Sequence, residues 1–177
     1  MKEIITAIFA IIFIGSSAFA QNIKENENTT HRKSKTEIMA HIASLPNVSV
    51  TYLTKSMLKK LPKDKAESPL SVLVNNGEVK SIRVFQLGSA EAEAEGKKLV
   101  DAYISNISEL NYAELLMLQN DDSNEVLIYG FPIHNDNSYY KTVLMFSKTT
   151  GKKTILIILS GKIHENTIGE LIDSFSK

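Results

Sequence analysis

Beyond its first twenty residues the chain alternates between two kinds of apolar spacing, one helical and one strand-like. Ser34-Lys35-Thr36-Glu37 reads as a capping box, in which hydroxyl and carboxylate each take an orphan amide at a helix start. Ile38, Met39, Ile42 and Leu45 follow at helical spacing, and Pro46 ends the run. From Val48 to Leu53 the period shortens to two, with Val48, Val50 and Tyr52 alternating against Ser49 and Thr51, which predicts a strand. A short helix is predicted over Lys55–Leu61, with Met57, Leu58 and Leu61 on one side and Pro62 beyond it.

Leu70, Val72 and Val74 alternate again, and Asn76-Gly77 tolerates the positive φ of a tight hairpin returning through Val79–Leu87. The alternative reading makes residues 68–74 a helical turn. Ser89 then caps a longer helix, predicted to reach about Asn106, whose stripe of Ala92, Gly96, Leu99, Val100, Tyr103 and Ile107 faces inward. Four strands are predicted over Tyr112–Gln119, Glu125–Ile133, Tyr139–Ser147 and Thr154–Leu159, separated by short turns rich in Asn, Asp, Thr and Gly. Ile155-Leu156-Ile157-Ile158-Leu159 is apolar at every position and is therefore expected to be covered on both faces. Ile168, Leu171, Ile172 and Phe175 mark a closing helix. The expected fold is α+β: a mostly antiparallel sheet ending in a four-strand meander, with helices packed on one face and a C-terminal helix.

The N-terminus changes where this domain is expected to work. A weakly positive start at Lys2 leads into an apolar run from Ile4 to Ile14, then Ala18-Phe19-Ala20 with small residues at both positions read by a signal peptidase. The run is shorter than the roughly 20 residues a bilayer-spanning helix needs. The expected organisation is a signal peptide at 1–20, a flexible lead at 21–35 and one α+β domain at 36–177. The product is expected to be exported to the periplasm or cell surface as a soluble protein. With no cysteine it cannot be acylated as a lipoprotein or stapled by disulfides, so its core must stabilise it alone.

Charge adds little at the global level. Twenty basic and twenty acidic residues balance, so the footprint of a nucleic-acid binder is missing and no nucleic acid is expected as a partner. No segment after the signal peptide reads as transmembrane. One local cluster stands out: Lys55, Lys59, Lys60, Lys63 and Lys65, opposed only by Asp64. It reads either as a solvated lysine face or as a surface for an anionic partner.

Catalytic chemistry is hard to place. There is no cysteine and no G-x-S-x-G, and Ser160-Gly161 reads as a turn. His31, His41, His134 and His164 hold no metal-ligand spacing, with His134 and His164 in predicted turns. Asn120, Asp122 and Asn124 alternate like part of a calcium loop, but Glu125 stands where such a loop needs glycine, and hairpin turns use the same residues. Glu91, Glu93 and Glu95 point in different directions around a helix and read as its solvated first turn. No cofactor, metal site or catalytic residue is expected, and the chain does not read as an enzyme.

Val50-Thr51-Tyr52-Leu53-Thr54-Lys55-Ser56-Met57-Leu58, closed by Pro62, resembles the strand-then-helix opening of the domain of unknown function 4252 family. Leu159-Ser160-Gly161-Lys162-Ile163 is similar to that family's closing strand. These are exported proteins found mainly in Bacteroidota, and the element order agrees over roughly residues 36–175. The resemblance implies an envelope protein without an assigned activity and carries over no catalytic or binding residue. Genes of that family often lie near sigma and anti-sigma factor genes, so the resemblance also implies envelope signalling. The expected function is a non-catalytic binding or interaction module with an envelope protein as partner. The alternative is a carrier or sensor of an apolar ligand such as a lipid, suggested by Leu115–Leu118 and Val143–Phe146.

Overall fold

The computed structural model describes residues 34–60, 79–105 and 113–175. The expected signal peptide and most of the expected lead, the strand expected at residues 70–74, and Ile107 all lie outside the described residues. The described elements are α1 (Lys35–Ser44), β1 (Val48–Thr54), α2 (Lys55–Leu58), β2 (Val79–Leu87), α3 (Ala90–Ile104), β3 (Glu114–Asn120), β4 (Asn124–Ile133), β5 (Asp136–Thr149), β6 (Thr154–His164) and α4 (Glu165–Phe175).

The strands form one six-stranded sheet in the order β1-β2-β6-β5-β4-β3, and every neighbouring pair is antiparallel. The fold is α+β, and the last four strands form the expected meander. Both edges of β2 from Ser81 to Leu87 are taken, one by β1 and the other by β6.

Successive strand residues point to opposite faces, and here both faces are apolar. On one face α1 and α3 cover Phe85, Leu87, Leu144, Phe146, Leu156 and Ile158 with Ile38, Ile42, Ala92, Leu99 and Val100. On the other, Ile82, Val84, Val126, Ile128, Val143, Met145, Ile157 and Leu159 form a second cluster, joined by Leu58 of α2 and Ile168 of α4. The continuous apolar run of β6 follows from its central place between two buried layers.

The caps behave as the sequence indicates. Ser34 Oγ accepts from Glu37 N at 3.2 Å while Glu37 Oε2 accepts from Ser34 N at 2.5 Å, a complete capping box at α1. Ser89 Oγ accepts from Ala92 N at 3.2 Å at α3, and Gly151 takes φ 76° in the β5–β6 turn.

Two expectations need correcting. Ser160-Gly161 is not a turn: β6 runs on to His164, and the extra residue is absorbed by a register shift against β5 between Tyr140 and Thr142. His164 accordingly lies at the end of this strand, and only His134 sits in a hairpin turn.

Candidate functional site

The lysine cluster starts where β1 ends. β1 reads Val-Ser-Val-Thr-Tyr-Leu-Thr, with no charged residue, and pairs with β2 over all seven positions. Thr54 stays extended at φ −88° and ψ 164°, and the chain then turns directly into the single helical turn of α2. Lys59 N donates to Lys55 O at 3.1 Å and Lys60 N to Met57 O at 3.0 Å, so the turn closes on itself. Thr54 Oγ1 and Ser56 Oγ share a hydrogen bond of 3.0 Å at its start.

A four-residue helix has too few hydrogen bonds to hold itself in water. Leu58 fixes it: its side chain is 3% exposed and belongs to the cluster containing Leu53, Val79 and Ile82. With Leu58 turned inward, Lys55, Ser56, Met57, Lys59 and Lys60 are left on the exposed side. The structure thus brings three lysines of the cluster, Lys55, Lys59 and Lys60, to one corner of the sheet. Lys63 and Lys65 lie outside the described residues.

Among the described residues, none of Lys55, Lys59 and Lys60 forms an ion pair, whereas Lys97, Lys98, Lys148 and Lys162 each reach a carboxylate. Exposed apolar side chains lie close to them. Met57 is 47% exposed beside the lysines, and Val50 and Tyr52 on β1 are 41% and 48% exposed. Val50 and Tyr52 share a face with the half-buried Val48, as their alternation indicates, but they lie at the sheet edge where α1 does not enclose them. Arg83 on β2 stacks 4.9 Å from the Tyr52 ring centroid and donates to Met39 Sδ at 3.4 Å. Arg83 thus belongs to the α1 face of β2, with Phe85 and Leu87, whereas Leu58 of α2 packs on the other face with Ile82 and Val84; Lys80 on β2 is exposed.

The remaining polar groups are tied into the scaffold. Asp121 Oδ1 accepts from Ser123 N at 2.9 Å and Asn124 N at 2.8 Å, so the Asn120–Asn124 segment uses its oxygens to build the β3–β4 turn. Those amide bonds, the one from Ser123 first, hold the Asp121 carboxyl below its usual value. His164 Nδ1 accepts from Asn166 N at 3.1 Å at the start of α4, and its ring meets Tyr139 edge-on at 4.9 Å. His41 lies in α1, His134 in the β4–β5 turn, and His31 outside the described residues.

Glu93 departs from the sequence reading. It is not simply solvated: its carboxylate takes a hydrogen bond from Thr154 Oγ1 at 2.7 Å and from Lys148 Nζ at 2.7 Å, joining α3 to the β5–β6 hairpin. Partial burial pushes this carboxyl up, but the Lys148 and Thr154 bonds, with the charges of Lys148 and Lys97, outweigh it and leave the value below normal. Glu95 instead pairs with Lys98 on its own helix.

An open antiparallel sheet with an amphipathic helical layer and a cationic corner defines a small α+β domain whose described polar groups are mostly structural. The family described as domain of unknown function (DUF4252) matches residues 43–171, and the chain belongs to it. That match spans every described element except most of α1 and the last turn of α4. No match was found among curated proteins or among solved structures.

Proposed function

We propose that the protein is a non-catalytic interaction module of the cell envelope that meets an acidic partner through the corner formed by Lys55, Lys59 and Lys60. The observation that carries this reading is the geometry of α2. Leu58 anchors the turn in the core while three lysines and Met57 project from it, and none of those lysines has an ion pair among the described residues. Cations fixed on a packed element, beside exposed apolar atoms, supply both the steering and the contact area that a protein–protein interface uses. Export, from the signal-peptide pattern at residues 1–20, would place the module beyond the inner membrane. Among the described residues no helix is long and apolar enough to cross a membrane. A role in envelope signalling fits a domain of this kind.

A second reading, a carrier or sensor of an apolar ligand such as a lipid, draws on Leu115 and Leu118 of β3, which are 50% and 61% exposed. Val143–Phe146, the other apolar run that suggests it, is committed to packing: Val143 and Met145 enter one cluster and Leu144 and Phe146 the other.

The test is retention from the native envelope. The wild-type protein and a Lys55→Glu/Lys59→Glu/Lys60→Glu variant are compared after mild crosslinking, with bound proteins and extracted lipids both read by mass spectrometry. A specific protein retained by the wild type and lost by the variant supports the interaction module. Stoichiometric lipid on both, with no protein partner, moves the function to the carrier.

A further inference from the structure

β6 passes into α4 without a loop: His164 is the last residue of the strand and Glu165 the first of the helix. His164 therefore stands at the cap position, and Asn166 N donates to its Nδ1 at 3.1 Å. Ser34 and Ser89 cap α1 and α3 with hydroxyl oxygens, which accept at any ordinary pH. A ring nitrogen accepts only while it carries no proton. The imidazolium is protonated on both nitrogens and has no acceptor left, so this cap exists only in the neutral ring, as the tautomer with its proton on Nε2.

We propose that His164 is a pH-sensitive latch on α4: protonation of its ring removes the cap and loosens the first turn of the helix from the sheet. The latch goes beyond the interaction module and does not depend on it. Histidine is the side chain whose ordinary charge change falls between about pH 5 and 8, and this one is half-buried, so water reaches it. What it holds is part of the core. Thr167 and Ile168 follow in the first turn, each 3% exposed, and Ile168 belongs to the cluster containing Ile82, Val84, Val143 and Met145. Fraying of that turn uncovers this face of the sheet.

The groups around the ring are of both signs. From β5, Tyr139 is its strand partner and meets it edge-on at 4.9 Å, with Asp136 and Lys141 the charged residues on either side of Tyr139. From β6, Lys162 lies 3.8 Å from the Tyr139 ring centroid and 3.5 Å from Asp136 Oδ2. From α4, Glu165 follows directly, and β2 as described begins at Val79, opposite Gly161. Lys162 and the positive end of the helix dipole oppose an imidazolium, while Asp136 and Glu165 offset them. Because the charges largely balance, the acceptor decides: the neutral ring closes the cap and the charged ring cannot.

Nuclear magnetic resonance of the purified protein tests the latch in two ways. The first is the tautomer: at about pH 8 the His164 ring should carry its proton on Nε2. The second is amide exchange, expressed as protection factors so that the intrinsic pH dependence of exchange is removed. Between about pH 7.5 and about pH 5.5, protection of Asn166 and the rest of the first turn of α4 should fall about fivefold, the usual worth of a cap. This window lies above the range in which the Glu93 contact is lost, so α3 and the β5–β6 hairpin should stay unchanged. His164→Asn keeps an acceptor that does not titrate and should stay protected at both pH values. His164→Ala should be low at both. A proton on Nδ1, a wild type as flat as His164→Asn, or a fall that persists in both variants overturns the proposal.

Discussion

Tyr140 of β5 packs closely against Gly130 of β4: a methyl group at Gly130 would come within 2.5 Å of two Tyr140 ring carbons and 2.9 Å of Leu116 Cδ1. The ring cannot easily swing away. It is 6% exposed, and its hydroxyl donates to Glu114 Oε2 at 2.7 Å, which ties β5 across β4 to β3. Gly130→Ala is expected to destabilise the protein by about 1–3 kcal/mol, the usual range for overpacking a core. Thermal unfolding checks this, and an unchanged midpoint would show that the ring has room to move.

Glu93 and Thr154 make a pH-dependent contact. Thr154 is fully buried, so Glu93→Ala leaves its hydroxyl without that acceptor, at an expected cost of about 1–3 kcal/mol. Because the Glu93 carboxyl sits below its ordinary value in the native state, its contribution is complete above about pH 4.3, the usual unfolded value. It is lost as pH falls through the lower native value. Glu93→Gln should therefore flatten the stability profile below that pH, and denaturant titrations at about pH 6 and about pH 3 test it. Parallel profiles for variant and wild type would show that the carboxylate contributes nothing.

Leu58 and Met57 are neighbours with opposite roles. Leu58→Ala empties a buried site and is expected to cost about 2–5 kcal/mol, whereas Met57→Ala on the exposed side should stay within about 0.5 kcal/mol. Chemical denaturation separates the two. Equal losses would mean that α2 is held by its exposed side.

Ser89 caps α3 through its bond to Ala92 N. Ser89→Ala is expected to cost about 1 kcal/mol, and Ser89→Asp to retain most of it. Thermal melts of both variants decide the point, since a cap acts through its acceptor oxygen and either residue present should behave alike.

The parts of this fold that were legible in the sequence are those set by near neighbours. Ser34 and Glu37 announce their capping box within four residues, and the unbroken apolar run of β6 announces a strand with two buried faces. What could not be read depends on distant residues. Glu93 looks like one acid among three until Lys148 and Thr154, 55 and 61 residues away, fold against it. Ser160-Gly161 looks like a turn because glycine usually marks one, yet pairing of Ile163 with Tyr140 carries β6 past it. The lysine cluster was visible as composition. Its orientation was half legible: Leu58 turns inward as its spacing indicates, but Met57, placed on the same side by that spacing, is 47% exposed among the lysines.

The most direct test of the cationic corner as a contact surface is crosslink mapping in the native envelope. An amine-reactive crosslinker is applied to cells carrying the protein, and its linked peptides are sequenced. Links to one partner should concentrate at Lys55, Lys59 and Lys60, next to acidic segments of that partner. Links spread evenly over Lys97, Lys152 and Lys162 as well, or confined to them, would contradict the assignment of function to this corner.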